Sequence, residues 1–298
     1  MLRFVPTNNS ETEPTAGRLE RVLEDALRLN FMQAVFLDRP MQPFEQTDPF
    51  TILSQTLVGS QVVRFADVEV RAAPGEIFMV PNNQPMHIEH HPDAEGQWAA
   101  RWVHIHFTLF GTLDFVGFLQ LPSKVVGEVA VLLGKIIEVS LDPQLLQEQA
   151  FPYGFARRKE LGFELLRILC EIAPSRKDAL DFLHHSERML PVFTFVDEHM
   201  HESISVADLA DLINLSLSRF HVFFKAQMGE SPMEYIKRVR LERSRQMLAT
   251  TDVPVYAVAE RMGFINPFHF SRAFKEASGM SPSHYRKQLQ GEQAVVSP

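Results

Sequence analysis

Residues 219–236 read RFHVFFKAQMGESPMEYI, and residues 269–286 read HFSRAFKEASGMSPSHYR. The two are one motif written twice. Phe220 corresponds to Phe270, Phe224 to Phe274, Lys225 to Lys275, Gly229 to Gly279, Ser231-Pro232 to Ser281-Pro282 and Tyr235 to Tyr285, each at an offset of 50. Upstream, Ala210 corresponds to Ala259 and Asn214 to Gly263 at an offset of 49, so one extra residue stands in the second copy's turn. Coincidence does not hold so many apolar, Gly and Pro positions in register. This stretch is a structural duplication, and it sets the fold of the last third of the chain.

Each copy spells two short helices joined by a tight turn. In the first, Ser205 is placed to cap a helix with Asp208 three residues on, a variant of the capping box. Val206, Leu209, Ala210 and Ile213 form its apolar stripe, and Asn214-Leu215 makes the turn, because Asn tolerates the left-handed conformation. Ser216 then caps a second helix in which Phe220, Phe223 and Phe224 face inward, ending at Gly229. The second copy repeats this with Val255, Val258, Ala259 and Met262, the turn Gly263-Phe264, and an inward face of Phe270, Ala273 and Phe274 that ends at Gly279. Ala210 and Ala259 mark the closest approach of two helices near a turn, where a small side chain is needed. Helix, turn and helix with this chemistry is the helix-turn-helix pattern of DNA-binding proteins.

The 298 residues suffice for about two domains, and 45% hydrophobic with 22% charged is ordinary for a soluble protein. No apolar run approaches the roughly 20 residues that cross a bilayer. The N-terminal MLRFVPTNNSETEPT lacks the apolar core of a secretory signal. The single cysteine, Cys170, cannot form an internal disulfide, which fits the cytoplasm. Its neighbours Ile168, Leu169 and Ile172 predict a packed helix residue rather than a nucleophile. The net charge of −8 conceals an asymmetry, with 17 basic against 27 acidic residues over 1–200 and 12 against 9 over 201–290. A mildly basic segment on an acidic body fits a nucleic-acid-binding module joined to something else, although an excess this small decides nothing alone.

The first half has a different texture. Residues 1–17 are rich in Thr, Asn, Glu and Pro and are predicted to be mobile. GRLERVLEDALRLN (17–30) predicts a short helix with Leu19, Leu23, Ala26 and Leu27 on one face. FTILSQTLV (50–58), QVVRF (61–65), DVEVR (67–71), EIFMV (76–80) and ARWVHIHF (100–107) are β-prone runs separated by Gly, Pro, Asn and Asp. Short, closely spaced strands without intervening helices imply an antiparallel barrel or sandwich. After Pro122 the pattern turns helical. VVGEVAVLLGKIIEVS (125–140) is apolar at near-continuous density and is predicted to be well buried. In RKELGFELLRILCEI (158–172), Leu161, Leu165, Ile168, Leu169 and Ile172 make one stripe, suited to packing within the monomer or to homodimerisation. APSRKDA (173–179) reads as a loop or linker.

Within the strand-rich region, APGEIFMVPNNQPMH (73–87) resembles the turn-strand-turn unit of cupin β-barrels. In metal-binding cupins the His that ends this unit joins others from a His-x-His strand. His104-x-His106 offers such a strand, His87 a third candidate, and His90 and His91 lie just beyond. The sequence departs from that pattern in two places. No Glu closely follows His-x-His, Asp114 being the first acid, and the Pro-to-His spacing is one residue longer. A His-lined pocket for an organic ligand, or plain packing, is therefore favoured over a metal, and no cofactor is expected. The expected lining is Phe78, His87, Trp102, His104 and His106, with alternation placing Trp102 beside His104 and His106 on one face.

From about residue 188 to 287 the chain resembles the DNA-binding domain of the AraC/XylS family of transcription regulators. The stretch GF-x(5)-FSRAFK-x(3)-G-x-SPSHYR from Gly263 to Arg286 carries the resemblance, with the joining helix YIKRVRLERSRQML (235–248) matching through Arg240. Ser244 departs from the usual Ala, a small-for-small change expected to be tolerated. The strand-rich half is similar to the family's effector domains more loosely. The resemblance implies an α+β, two-domain regulator. It would have a mobile N-terminus and short helix (1–30), a cupin-like antiparallel β-barrel that senses an effector (31–121), and a helical packing, dimerisation and linker segment (122–180). An all-α domain of two helix-turn-helix units on one long helix (185–290) would follow.

Two recognition helices on one rigid helix can enter successive major grooves, about 34 Å apart. Base contacts are expected from Ser218, Arg219, His221 and Val222 in the first copy. In the second they are expected from Asn266, Phe268, His269, Ser271 and Arg272, with Arg272 best placed for guanine. Lys225, Lys237, Arg238, Arg243, Arg245, Lys275, Arg286 and Lys287 are the expected phosphate contacts. The expected partners are promoter DNA, a small-molecule effector such as a sugar or aromatic acid, a second copy through 158–172, and RNA polymerase, with no membrane. The competing reading is a cupin-type metal-dependent enzyme or metal sensor using His87, His104 and His106, with an accessory DNA-binding domain.

Overall fold

The structure is a computed structural model that describes residues 23, 26–111, 113–146, 152–176 and 186–287. The predicted mobile terminus 1–17 and residues 177–179 of the predicted linker lie outside these. The chain divides into two compact units. One is built on Leu29–Phe107 and Asp114–Ser175, the other on Arg176–Glu292 with the short segment Thr108–Leu113.

The sheet unit holds β1 (Leu27–Leu37), β2 (Phe44–Thr47), β3 (Thr51–Val58), β4 (Ser60–Phe65), β5 (Val68–Ala72), β6 (Ile77–Val80), β7 (Pro85–His91), β8 (Ala99–Leu109), β9 (Leu113–Asp114) and β10 (Lys124–Val125). One sheet runs β1-β8-β3-β6-β10 with β9 beside β8, and the other runs β2-β7-β4-β5. The pairings β3·β8, β3·β6, β4·β7, β4·β5 and β2·β7 are antiparallel. Apolar side chains from both sheets meet in one core. Ile52, Phe78 and Val80 come from the first sheet, and Val63, Phe65, Val70, Met86 and Ile88 from the second.

The first sheet is covered on its other face by helices, which explains why β3 is buried almost throughout instead of alternating. Helix α1 (Gly127–Ser140) and helix α2 (Tyr153–Ile172) supply that layer. Phe163 of α2 meets Phe107 of β8 edge-on at 5.6 Å, and Glu138 of α1 pairs with Arg101 of β8 at 3.0 Å. Gly162 lets α2 press on β1, since a Cβ there would fall 2.2 Å from a Leu29 methyl.

Several expectations change here. Leu23 and Ala26 are helical, but the helix predicted through residue 30 gives way to β1 at Leu27. LRLNFMQAVFL also carries period-two alternation, which buries Leu29, Val35 and Leu37, and pairing with β8 decides between the two periods. Helix α1 buries only one face, through Ala130, Leu133, Ile136 and Ile137, and leaves Val131, Leu132 and Val139 exposed. The α2 stripe of Leu161, Leu165, Ile168 and Leu169 is buried inside this unit, so it is not a free seam for a second copy. Cys170 lies on the exposed side of α2 rather than in packing, and partial burial still pushes its thiol up from the usual range.

The helical unit contains α3 (Leu190–Glu198), α4 (Val206–Leu212), α5 (Leu217–Met228), α6 (Pro232–Thr250), α7 (Val255–Arg261) and α8 (Pro267–Ser278). The duplication becomes two matching aromatic stacks. Phe220 lies 5.5 Å from Phe224 and Phe224 5.4 Å from Tyr235. In the second copy Phe270 lies 5.5 Å from Phe274 and Phe274 5.3 Å from Tyr285. Phe223, expected inward, is only half-buried and carries the Arg188 guanidinium 5.2 Å above its ring. Ala210 and Ala259 are buried as their place near the turns requires.

Local chemistry fixes the helix ends. Ser205 caps α4 by accepting from the Ala207 N–H rather than from Asp208. Asn214 takes the left-handed conformation at φ 54°. The complete capping box belongs to α6, where Ser231 and Glu234 bond reciprocally. Gly229 and Gly279 close α5 and α8 in left-handed caps.

Candidate nucleic-acid interface

The two helix-turn-helix units are α4–α5 and α7–α8, and α6 joins them. Arg240 of α6 ties them together. Its guanidinium donates to the Gly263 carbonyl at 3.0 Å, in the turn of the second unit, and to the Glu202 carbonyl, just before the first. Burial lowers its pKa from the ordinary guanidinium value, a cost accepted because both carbonyls are satisfied. Gly263 is required there. It has φ 65°, and a Cβ would fall 2.6 Å from the Met200 carbonyl oxygen and 2.7 Å from the Arg240 guanidinium. Ser244 is fully buried one turn further on, its hydroxyl donating to the Arg240 carbonyl at 2.7 Å.

On α5, Ser218, Arg219, His221 and Val222 are all exposed, Val222 to 72%. On α8, Phe268, His269 and Arg272 are exposed and Ser271 is half-buried. Asn266 is the cap of α8, its side-chain oxygen accepting from the His269 N–H at 2.8 Å. That bond occupies one side of the amide and fixes where the helix begins.

The eight cations expected on phosphates fall into two sets. Lys225, Lys237, Lys275 and Lys287 are exposed, with Lys237 only loosely paired to Glu276 at 3.6 Å. The four arginines are engaged within the protein. Arg238 donates to Glu230 at 2.7 Å and to Glu242 at 3.3 Å. Arg243 donates to the Asp197 carboxylate and the Gly111 carbonyl. Arg245 donates to the Ser278 hydroxyl at 3.0 Å and the Ala277 carbonyl at 2.8 Å, covering the end of α8. Arg286 donates to the Val253 carbonyl. A planar fork with fixed donors suits carbonyl and carboxylate pairs, which is why arginines rather than lysines hold these places. Burial opposes the charge on Arg238, but Glu242 and Glu230 hold its pKa above the usual value. Burial likewise pushes the Glu242 carboxyl up against the pull of Arg238.

In the sheet unit, Trp102, His104 and His106 share one face of β8, and Trp102 packs on the core cluster that contains Phe78. His104 Nε2 lies 3.1 Å from Asp48 Oδ2, and the Phe50 ring meets His104 and His106 edge-on at 6.2 and 6.3 Å. His87 takes the opposite face. Its neighbours Met86 and Ile88 turn into the core, while its ring lies 3.3 Å from the Glu89 carboxylate and 3.9 Å from Glu45. Period-two alternation therefore removes His87 from any lining shared with Trp102 and His104. Among the described residues, no group of three or more His, Cys, Asp or Glu is placed to hold a metal. Sequence reading missed Asp48 and Phe50, which lie in the DPF turn before β3, where only their position opposite β8 reveals them.

A pair of helix-turn-helix units on one helix, joined in one chain to a two-sheet unit, defines a DNA-binding regulator with a separate ligand-binding part. A helix-turn-helix domain is matched over residues 209–288 and an AraC-like ligand binding domain over 37–166. The chain belongs to the AraC/XylS family of transcription regulators. It is 27% identical over 263 residues to the arabinose operon regulatory protein of Escherichia coli (strain K12), covering 84% of this chain and 83% of that one. Over 98 residues it is 37% identical to the probable transcriptional regulator LumQ of Photobacterium leiognathi, covering 33% and 40%. Among solved structures, the DNA-binding domain of AdpA in complex with a target DNA is 28% identical, covers 36% of this chain and 96% of its own, and has a TM-score of 0.34. These relatives are regulators, and no helix among the described residues is long and apolar enough to cross a membrane.

Proposed function

We propose that this AraC-family regulator reads an asymmetric promoter site as a single molecule, with α5 and α8 as two different readers on one frame. The observation that carries this is the difference between the copies: exposed Ser218 and Val222 on α5 stand where exposed Phe268 and Arg272 stand on α8. Arg219, His221, His269 and Ser271 complete the reading faces, and Asn266 sets where the second begins. Lys225, Lys237, Lys275 and Lys287 are the phosphate contacts in this reading, since the neighbouring arginines already have partners. Contact with RNA polymerase and a place in the cytoplasm belong to the same reading and rest on the family.

Selection of duplexes from a random library by the full chain tests it. Arg272→Ala is expected to lose about 1–3 kcal/mol at one guanine and to relax selectivity at that position, the worth of one bidentate base contact. A variant that ranks the selected duplexes as the wild type does would refute the assignment.

The sheet unit is proposed to bind a sugar or aromatic acid against Phe78, Trp102, His104 and His106, with Asp48 orienting His104. A ligand at 100 times its dissociation constant raises stability by about 2.7 kcal/mol, which a thermal-shift screen detects. The shift is expected to vanish in Trp102→Ala, and a shift that survives that change places the ligand elsewhere. The competing metal-enzyme reading loses the residue set that motivated it, because His87 and the pair His104 and His106 do not face one another.

A further inference from the structure

Ile265 and Phe268 are the most open large apolar side chains among the described residues, at 94% and 87% exposed. Packing inside the fold accounts for neither. Ile265 stands immediately before the Asn266 cap, where an apolar residue ordinarily folds back on the fourth residue of the helix. That fourth residue is Phe270, fully buried, and Phe264 takes the packing role instead, its ring edge-on to Phe270 at 5.1 Å. In the first copy Leu215 holds the place before the cap and is half-buried. The second unit thus exposes what the first tucks away. The two side chains stand beside the cations Arg272 and Lys275, exposed with His269 on the same helix, so the surface around them suits a polyanion.

We propose that Ile265 and Phe268 form an apolar prong that contacts the 5-methyl groups of thymine in the major groove, beside the guanine read by Arg272. Thymine alone among the four bases presents a methyl group there. Phe268 and Arg272 are four residues apart and share one face of α8. A rise of about 1.5 Å per residue separates them by about 6 Å, roughly two base steps. The half-site of α8 therefore carries thymine within about two base pairs of its guanine. In α5 the order is reversed, because Ser218 occupies the place of Phe268 and Val222 that of Arg272.

The inference rests on α8 being a base reader, and the test separates the two claims. A duplex selected by the full chain is rebuilt with uracil replacing each thymine in turn, at constant salt. At one or two positions in the half-site sensitive to Arg272→Ala, uracil is expected to weaken binding about fourfold, the worth of one buried methyl-sized group. Ile265→Ala and Phe268→Ala are expected to bind the thymine and uracil duplexes alike at those positions, whereas Val222→Ala keeps the difference. Both side chains are exposed, so unchanged melting temperatures confirm folded variants. The proposal is overturned if no thymine in that half-site senses loss of its methyl, or if both variants keep the wild-type ratio. An Arg272→Ala defect in those cases leaves α8 a reader without an apolar prong, and its absence removes both claims.

Discussion

Phe270→Ala is expected to destabilise the second helix-turn-helix by about 3–5 kcal/mol, the cost of emptying a large buried site. Phe270 is fully buried between Phe264 at 5.1 Å and Phe274 at 5.5 Å, and Phe274 continues the stack to Tyr285. A loss of that size is a large share of the roughly 5–15 kcal/mol that hold a typical domain together. Protease cleavage within residues 255–287 should therefore appear, and DNA affinity should fall with it. Phe223→Ala is the comparison. Phe223 is half-buried with Arg188 over its ring, and its loss is expected to cost about 1 kcal/mol. Equal losses in urea midpoint for the two variants would show that the aromatic stack is not what holds the unit.

The second large effect is a dependence on pH set by His90. Its ring stacks on buried Trp98 at 4.0 Å, and its Nδ1 accepts from the Met41 N–H at 3.0 Å. Burial, with a smaller contribution from the nearby His91 charge, lowers its pKa from 6.5 to about 4. The unfolded chain therefore binds a proton between about pH 6.5 and 4 that the folded chain does not. Stability is fully present above pH 6.5 and is lost as the pH falls towards 4, at about 1.4 kcal/mol per pH unit or roughly 3 kcal/mol in all. Urea midpoints followed by tryptophan fluorescence at pH 7, 5.5 and 4 measure it. His90→Gln keeps an acceptor for Met41 without a titrating ring, and most of the slope is expected to disappear. A variant that loses stability on acidification as steeply as the wild type would place the dependence in other groups.

How far the sequence could be read depended on whether a residue's partner lay nearby in the chain. The helical unit was legible because its information is local and stated twice: the Phe positions, the Gly caps and the Asn214 turn all act within a few residues. Arg243, Arg245 and Arg286 were legible as charges but not as structural ties, because Asp197, Ala277 and Val253 come to them only on folding. His87 was misassigned for the same reason, since its face is fixed by Met86 and Ile88 turning into the core, not by spacing from Pro81. β1 carried two periods at once, and only the β8 partner chose between them. Asp48 and Phe50 carry no pattern at all until β3 and β8 pair.

Arg240 bonds to carbonyls at both helix-turn-helix units, and α6 runs between them without a break from Pro232 to Thr250. If α5 and α8 are the two readers proposed above, they keep one pitch. Each base pair added between their half-sites would turn one away from the other by about 34–36° around the duplex. On that reading, the sites this protein governs are expected to drift in letters but not in length: substitutions would grade affinity, while one pair inserted or deleted between the half-sites would weaken binding.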